Sequence, residues 1–170
     1  MRYLGAKVVL TPASDKGSGM LNKALELAEK HGWFLCRQFT TDANADIHSA
    51  TTAQEILAAF PDGALDYFVS GFGTGGTLKG VARVLRERSP RTRIVATEPD
   101  NSPMLASGIA QAFNDKGDPA ASHAAFRPHL MQGWSPDFIP KIAHDVLVDK
   151  LVDEIIGVNG YRVRAEQWPA

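Results

Sequence analysis

The stretch DYFVSGFGTGGTLKGVARVL, residues 66–85, joins an apolar run to a helical pattern through a glycine-rich loop. The apolar run is typical of a buried strand, and the apolar residues after the loop recur at helical spacing. Glycines let the backbone bend sharply and approach a ligand, while free N–H groups of the first helical turn point toward it. The junction therefore predicts a bound anion, most simply a phosphate, at Gly71, Gly73, Gly75 and Gly76.

The loop also contains Thr74 and Thr77, whose hydroxyl groups can donate hydrogen bonds to phosphate oxygens. The alternative is a glycine-rich turn that serves only tight packing of a strand against a helix. We favour phosphate because the hydroxyl groups and the helix N-terminus both suit an anion.

The composition is that of one soluble globular domain, with 170 residues, 44% hydrophobic and 22% charged. Its 18 basic and 19 acidic side chains give a net charge of -1, which does not indicate a nucleic-acid or anionic-membrane partner. No apolar run reaches the roughly 20 residues of a membrane helix, and no secretion signal is evident, so we expect a cytoplasmic protein. The lone Cys36 excludes a disulfide framework, and its apolar flanks predict a buried thiol.

Alternating apolar runs and helical patterns predict an α/β fold with a parallel sheet and flanking helices. Helices are expected over residues 19–31 and 49–60 and after the glycine loop, and loops with short helical turns over residues 101–145. HDVLVD and EIIGV are candidates for further strands. The main strands are predicted at KVVL (7–10), FLCRQF (34–39), DYFVS (66–70) and RTRIVATEP (91–99).

The loop also contains the pattern GxGxxG, formed by Gly71, Gly73 and Gly76, and Glu98 ends the next predicted strand. A dinucleotide-binding fold places a ribose-binding carboxylate at about this sequence separation from its glycine pattern, so an NAD-binding protein is one hypothesis. That fingerprint normally opens the first strand-helix unit of its domain, whereas two such units precede it here. We therefore interpret Glu98 as a solvated strand end before Pro99.

Several further motifs occur in order around the loop: LCRQFTTDANADIHSATTAQEI before it, and VATEPDNSP and MQGWSPDFIP after it. With GTGGT, they resemble the O-acetylserine sulfhydrylases, or cysteine synthases, which are fold-type II pyridoxal-phosphate enzymes. The resemblance extends from about residue 4 to residue 160. It implies an incomplete version of that fold, similar to the tryptophan synthase β chain, with pyridoxal 5'-phosphate as cofactor.

The resemblance implies roles for two groups of residues. Gln38 and Phe39 match a pair whose glutamine contacts the substrate carboxylate, a contact that an amide makes by donating a hydrogen bond. The alternative for Gln38 is a polar residue at a strand end. The family's phosphate-holding loop is matched by Gly73, Thr74, Gly75, Gly76 and Thr77.

Two further matches lie toward the mouth of the family's active site. His48 matches a histidine on a helix there, which we do not interpret as catalytic. Gln132 and Gly133 match the start of a loop that approaches the substrate. The family commonly has more glycines where this chain has residues 134–137, WSPD, so loop motion and substrate choice are left open.

The family's chemistry also needs a lysine that binds the cofactor covalently, in a Ser-x-Lys motif upstream of every matched motif. None of the eight lysines has that setting, although Lys16 in SDKGS is the nearest in appearance. The family's upstream Ser-Gly-Asn-Thr loop and downstream Ser-Gly segment are missing, and the tail YRVRAEQWPA matches nothing. The chain therefore resembles the middle of a family member. We expect one partial domain, with residues 1–60 partly in the smaller subdomain and residues 61–160 in the larger one.

The resemblance implies a cysteine synthase-like β-replacement, in which sulfide displaces the acetate of O-acetylserine, with this chain supplying only part of the site. Expected partners are a small amino-acid substrate, a second copy or a complementing chain, and serine acetyltransferase. Two alternatives stay open. One is a non-catalytic module that binds phosphate, pyridoxal phosphate or a protein partner, and the other is the NAD-binding protein.

Overall fold

The computed structural model describes residues 1–160, so the tail that follows Gly160 lies outside the described residues. The chain divides into two compact units, Met1–Cys36 and Arg37–Ala170. Within the described residues, the first unit contains one α-helix and the second contains the sheet.

The first unit is built around helix α1 (Lys16–His31), which follows short 3-10 turns at Arg2–Leu4 and Ala13–Asp15. The helix ends at Gly32, whose φ of 64° is a left-handed conformation that glycine adopts without strain. The N–H group of Gly32 donates to the carbonyl of Ala28, which satisfies one of the last free acceptors of the helix.

The strands predicted at residues 7–10 and 34–39 do not form in the structure. Strand formation requires a neighbouring strand to pair the backbone N–H and C=O groups, and residues 1–160 provide none for either segment. Their apolar side chains are correspondingly open to solvent, with Leu10 79% and Phe34 92% exposed. The prediction of a buried thiol is wrong for the same reason, because Cys36 lies in an unpaired segment and is exposed.

The second unit begins with helices α2 (Ala43–Ala50) and α3 (Thr52–Ala59), followed by a 3-10 turn at Pro61–Gly63. Strands and helices then alternate as the sequence predicts. They are β1 (Tyr67–Gly71), α4 (Gly76–Arg88), β2 (Arg93–Pro99), α5 (Lys141–Val148) and β3 (Glu154–Val158).

The three strands form one sheet in the order β1-β2-β3, and both strand pairs are parallel. Val69 of β1 lies opposite Val95 of β2, and Thr97 of β2 lies opposite Ile156 of β3. The predicted α/β fold with a parallel sheet is thus confirmed. Because the strands are parallel, their carboxyl ends meet at one edge, which is also where the glycine-rich loop begins.

The apolar face predicted for the helix after the loop forms the centre of the core. Its residues Leu78, Val81, Ala82 and Leu85 are buried together with Ile94 and Ala96 of β2. Helix α2 packs closely on α4, since a β-carbon at Gly80 would overlap the carbonyl group of Ala45. This close packing brings the polar side chains of α2 to the start of α4.

The segment between β2 and α5 contains no α-helix and no strand within the described residues, apart from one isolated bridge between Phe113 and Pro119. This agrees with the loops that we predict there. EIIGV forms strand β3, as proposed, whereas HDVLVD lies mostly within helix α5. The helix begins directly after Pro140, a residue that favours the first turn of a helix.

Candidate phosphate and substrate site

The glycine-rich loop connects the end of β1 to the start of α4, as predicted. Gly75 precedes the helix with a φ of 92°, a conformation that favours glycine. A β-carbon at Gly75 would lie 2.7 Å from the backbone nitrogen of Ala143, and one at Gly76 would overlap the side chain of Asn44. Position 75 therefore requires glycine, whereas a side chain at position 76 would displace the Asn44 amide. The helix start leaves the first-turn N–H groups without helical partners.

The hydroxyl group of Thr74 is held from two sides. The side-chain amide of Asn44 donates to its Oγ1 over 2.9 Å, and the backbone N–H of Gly76 donates to the same oxygen over 3.3 Å. Thr74 is half-buried, so these hydrogen bonds restrict its rotamer. The predicted phosphate-binding hydroxyl is thus fixed at the tip of the loop.

The second hydroxyl of the loop, on Thr77, contacts the histidine that the sequence places near the mouth of the site. Thr77 Oγ1 lies 3.1 Å from Nε2 of His48, and the other ring nitrogen lies 2.9 Å from Oγ1 of Thr52. His48 therefore bridges α2, α3 and the first turn of α4 instead of pointing freely into solvent. His48 thus contacts Thr77, a residue predicted to bind phosphate, and this contact supports a role in positioning the Thr77 hydroxyl.

The Gln38-Phe39 pair lies next to the same loop. The amide of Asn44 donates to the backbone carbonyl of Gln38 over 2.8 Å, so one side chain contacts both Gln38 and Thr74. Phe39 is buried and packs edge-on against Phe138, with ring centroids 5.1 Å apart. The side chain of Gln38 is exposed, which leaves its amide available to a ligand.

The loop that contains Gly133 lies against the start of the glycine-rich loop. A β-carbon at Gly73 would lie 2.5 Å from the carbonyl oxygen of Gly133, and the N–H group of Ser135 donates to the carbonyl of Phe72 over 2.8 Å. The structure thus brings together all three predicted groups: the glycine-rich loop, the Gln38-Phe39 pair and Gly133.

Lys79, one turn into α4, forms ion pairs that sequence reasoning did not identify. Its Nζ lies 2.6 Å from Asp42 and 2.9 Å from Asp145. Burial disfavours the charge, but the hydrogen bonds to Asp42 and Asp145 outweigh it and raise the pKa of Lys79. A lysine that bonds covalently to a carbonyl group must first lose its proton, so Lys79 is unsuited to that role despite its proximity to the loop.

Glu98 is fully buried, so the prediction of a solvated strand end is wrong. One carboxylate oxygen accepts the N–H of Leu105 over 2.7 Å and the other accepts the N–H of Ala106 over 2.9 Å. Burial raises the pKa of the Glu98 carboxyl, although these two hydrogen bonds act in the opposite direction. With both oxygens bonded to its own chain, Glu98 holds the segment after β2, which does not favour a ribose-binding role.

Asn44 is the residue of this site that sequence reasoning missed. It lies in TTDANADIHSA, a segment quoted for its resemblance as a whole, in which asparagine near a helix start is more often a cap or turn residue. Its long-range partners are invisible in the sequence because Thr74 lies 30 positions away.

Residues 1–166 match the family described as pyridoxal-phosphate-dependent enzymes. The chain belongs to this family. The resemblance seen in the motifs is thereby confirmed, and pyridoxal phosphate is the cofactor of the family.

Relatives of known activity are similar to most of the chain. An O-ureido-L-serine synthase of Streptomyces lavendulae is 43% identical over 159 residues, covering 91% of this chain and 44% of that protein. A cysteine synthase of Staphylococcus aureus is 38% identical over 152 residues, covering 89% of this chain and 44% of that protein. The chain thus spans less than half the length of these pyridoxal-phosphate-dependent relatives.

Solved structures agree with this placement. The crystal structure of an O-ureido-L-serine synthase matches with a TM-score of 0.77 and 40% identity, covering 97% of this chain and 48% of that one. The cysteine synthase of Entamoeba histolytica matches with a TM-score of 0.73 and 31% identity, covering 93% of this chain and 41% of that one. The fold described above is therefore part of a fold-type II pyridoxal-phosphate enzyme.

The residues at the start of α4 fit the phosphate of the family's cofactor. Gly75 and Gly76 carry no β-carbon beside the first-turn N–H groups of α4, so an anion can approach the backbone closely. The hydroxyl groups of Thr74 and Thr77 lie on the same loop, and the N-terminus of α4 favours negative charge.

Two other classes of site find no support among residues 1–160. No cluster of three or more His, Cys, Asp or Glu side chains that could ligate a metal occurs in that range. No helix in this part of the chain combines the length and the apolar character needed to cross a bilayer.

Proposed function

We propose that this chain provides the cofactor-phosphate anchor and part of the substrate-carboxylate site of a pyridoxal-phosphate-dependent β-replacement enzyme. The observation that carries the proposal is the convergence of Gln38, Gly133 and the Gly73–Thr77 loop at the carboxyl end of β1. A phosphate at the start of α4 would accept hydrogen bonds from first-turn N–H groups and from the hydroxyls of Thr74 and Thr77.

The proposed substrate is a small amino acid with a leaving group on its β-carbon. The exposed amide of Gln38 would donate a hydrogen bond to the α-carboxylate, which orients the amino acid without adding a charge. Phe39, locked against Phe138, fixes the backbone that presents this amide.

The proposed reaction breaks the bond from the β-carbon of O-acetylserine to acetate and forms a new bond from that carbon to sulfide. Cysteine and O-ureido-L-serine, the products named by the two relatives, are both alanine with a heteroatom on the β-carbon. The cofactor, when bound, serves as the electron sink that makes loss of the α-proton feasible. The residues of this chain contribute anchoring and orientation to this reaction.

The alternative is a non-catalytic module that binds phosphate, pyridoxal phosphate or a protein partner. It draws support from Lys79, since the lysine nearest the loop in sequence is held as a charged ion pair. The NAD-binding alternative has less support, because Glu98 uses both carboxylate oxygens within the chain.

The remaining proposals concern the whole protein. We propose that residues 1–60 belong partly to the smaller subdomain and residues 61–160 to the larger one. We also propose a cytoplasmic protein that acts with a second copy or a complementing chain, and serine acetyltransferase as a further partner.

The test combines binding with complementation. Pyridoxal phosphate is titrated into the 170-residue chain, and the chain is then mixed with a polypeptide carrying the remaining length of the Streptomyces lavendulae relative. Binding plus cysteine formation from O-acetylserine and sulfide in the mixture supports the enzyme. Binding without β-replacement by either sulfide or hydroxyurea supports the module. Absence of pyridoxal-phosphate binding contradicts the enzyme and the form of the module that binds this cofactor.

A further inference from the structure

The side chain of Asn44 connects the two halves of the proposed site. Its Nδ2 donates to the backbone carbonyl of Gln38 over 2.8 Å and to Oγ1 of Thr74 over 2.9 Å. A carbonyl oxygen can only accept, so the partner at Gln38 fixes the amide orientation: nitrogen toward Gln38 and Thr74, oxygen toward Gly76. Both protons of the amide therefore have acceptors within the chain.

These contacts determine what the Thr74 hydroxyl can do. A threonine hydroxyl has two acceptor lone pairs and one proton. Both lone pairs of Thr74 Oγ1 receive donors, one from Asn44 and one from the N–H group of Gly76. The proton is consequently left to donate, which is the role that a phosphate oxygen requires.

Gly76 provides the space for this arrangement. A β-carbon at this position would overlap the amide of Asn44, so the glycine that starts α4 and the asparagine of α2 depend on each other. Glycine at this position thereby leaves the Asn44 amide in the orientation that its two hydrogen bonds need.

We propose that Asn44 is a positioning residue that orients the Thr74 hydroxyl as a donor to the cofactor phosphate and ties it to the substrate segment at Gln38. The inference rests on the proposed function, because it assumes that Thr74 binds phosphate. Asn44 itself contacts neither ligand and acts through its two neighbours.

The experiment is a double-mutant cycle with pyridoxal phosphate and inorganic phosphate as probes. Asn44→Ala and Thr74→Val are each expected to weaken pyridoxal-phosphate binding roughly tenfold, the loss of about one hydrogen bond to a charged group. The double variant should bind no more weakly than Thr74→Val alone, because Asn44 acts through that hydroxyl. Asn44→Asp should bind more weakly than Asn44→Ala, since a carboxylate would accept the Thr74 proton and repel the anion.

A control is Asn101→Ala, which removes an exposed amide whose Nδ2 likewise donates to a backbone carbonyl, that of Pro128. This variant should bind as the wild type does. The ³¹P resonance of bound pyridoxal phosphate should shift in the same direction in Asn44→Ala and Thr74→Val and stay unchanged in the control. If Asn44→Ala does not fold, Asn44→Asp and the ³¹P signal of Thr74→Val provide the comparison.

The possible failures are distinguishable. Additive losses in the cycle, or wild-type affinity in Asn44→Asp, would overturn the role of Asn44 while leaving the phosphate site intact. If the wild-type chain binds neither probe, the proposed function fails and this inference fails with it.

Discussion

The indole ring of Trp134 lies so close to Gly71 that a β-carbon on this glycine would sit 2.5 Å from Cζ2 of the ring. Gly71 is the last residue of β1, and Trp134 follows Gly133 in the loop expected to approach the substrate. The contact therefore places a bulky side chain against the end of the strand.

We expect Gly71→Ala to destabilise the fold by about 1–3 kcal/mol, since the added methyl group forces the ring out of its position. The free energy of unfolding in urea measures this directly. Gly160→Ala is the control, because a β-carbon there would meet only ordinary contacts, the nearest being 3.6 Å away at Leu130. Trp134→Ala in the Gly71→Ala background should recover part of the loss. Equal stability of Gly71→Ala and the wild type would show that the ring does not fill this space.

Glu98 should make stability depend on pH above its ordinary pKa of 4.5. Its pKa is raised in the fold, so its favourable contribution is complete below 4.5 and decreases as pH rises through the folded value. Glu98→Gln has no such titration, so wild-type stability relative to this variant should fall as pH rises from about 4 to 8. Urea unfolding of both proteins across this range tests the expectation, and a stability difference that is constant with pH contradicts it.

Lys79 should not become the covalent lysine when the chain is given pyridoxal phosphate. Its ion pairs with Asp42 and Asp145 keep the amine protonated, and a protonated amine is not a nucleophile. Reduction with borohydride followed by peptide mass spectrometry measures this. The exposed Lys150 is a useful comparison for non-specific labelling. A stoichiometric adduct at Lys79 would contradict its assignment as a structural cation.

Local sequence patterns correctly predicted the elements that pack against their neighbours in sequence. The apolar face of α4 meets β2, which is its neighbour in sequence, and the parallel pairing follows from the strand-helix-strand order. The segments at residues 7–10 and 34–39 have equally good strand patterns but pair with no strand in the described part of the chain. A strand pattern indicates that a segment favours pairing in a sheet, but it does not show that a partner strand is present.

The site was predictable to the extent that its contacts are local. The Gly73–Thr77 loop could be recognised because glycines, hydroxyls and a helix start occur together in sequence. The role of Asn44 and the burial of Glu98 could not be recognised from the sequence, because both depend on contacts with separate segments. The N–H groups that donate to Glu98 belong to an irregular segment, which has no periodic sequence pattern from which its conformation could be predicted.

The most direct test of the central claim, that the loop at the start of α4 anchors the cofactor phosphate, uses the ¹⁵N-labelled chain. Backbone amide shifts are recorded during titration with pyridoxal phosphate, inorganic phosphate and pyridoxal, the last of which lacks the phosphate. We predict that both phosphate-bearing probes shift the amides of Gly75, Gly76 and Thr77, that pyridoxal does not, and that Gly76→Asp abolishes the effect by placing a carboxylate against the anion. Shifts confined to other segments, or equal shifts with pyridoxal, would contradict the claim.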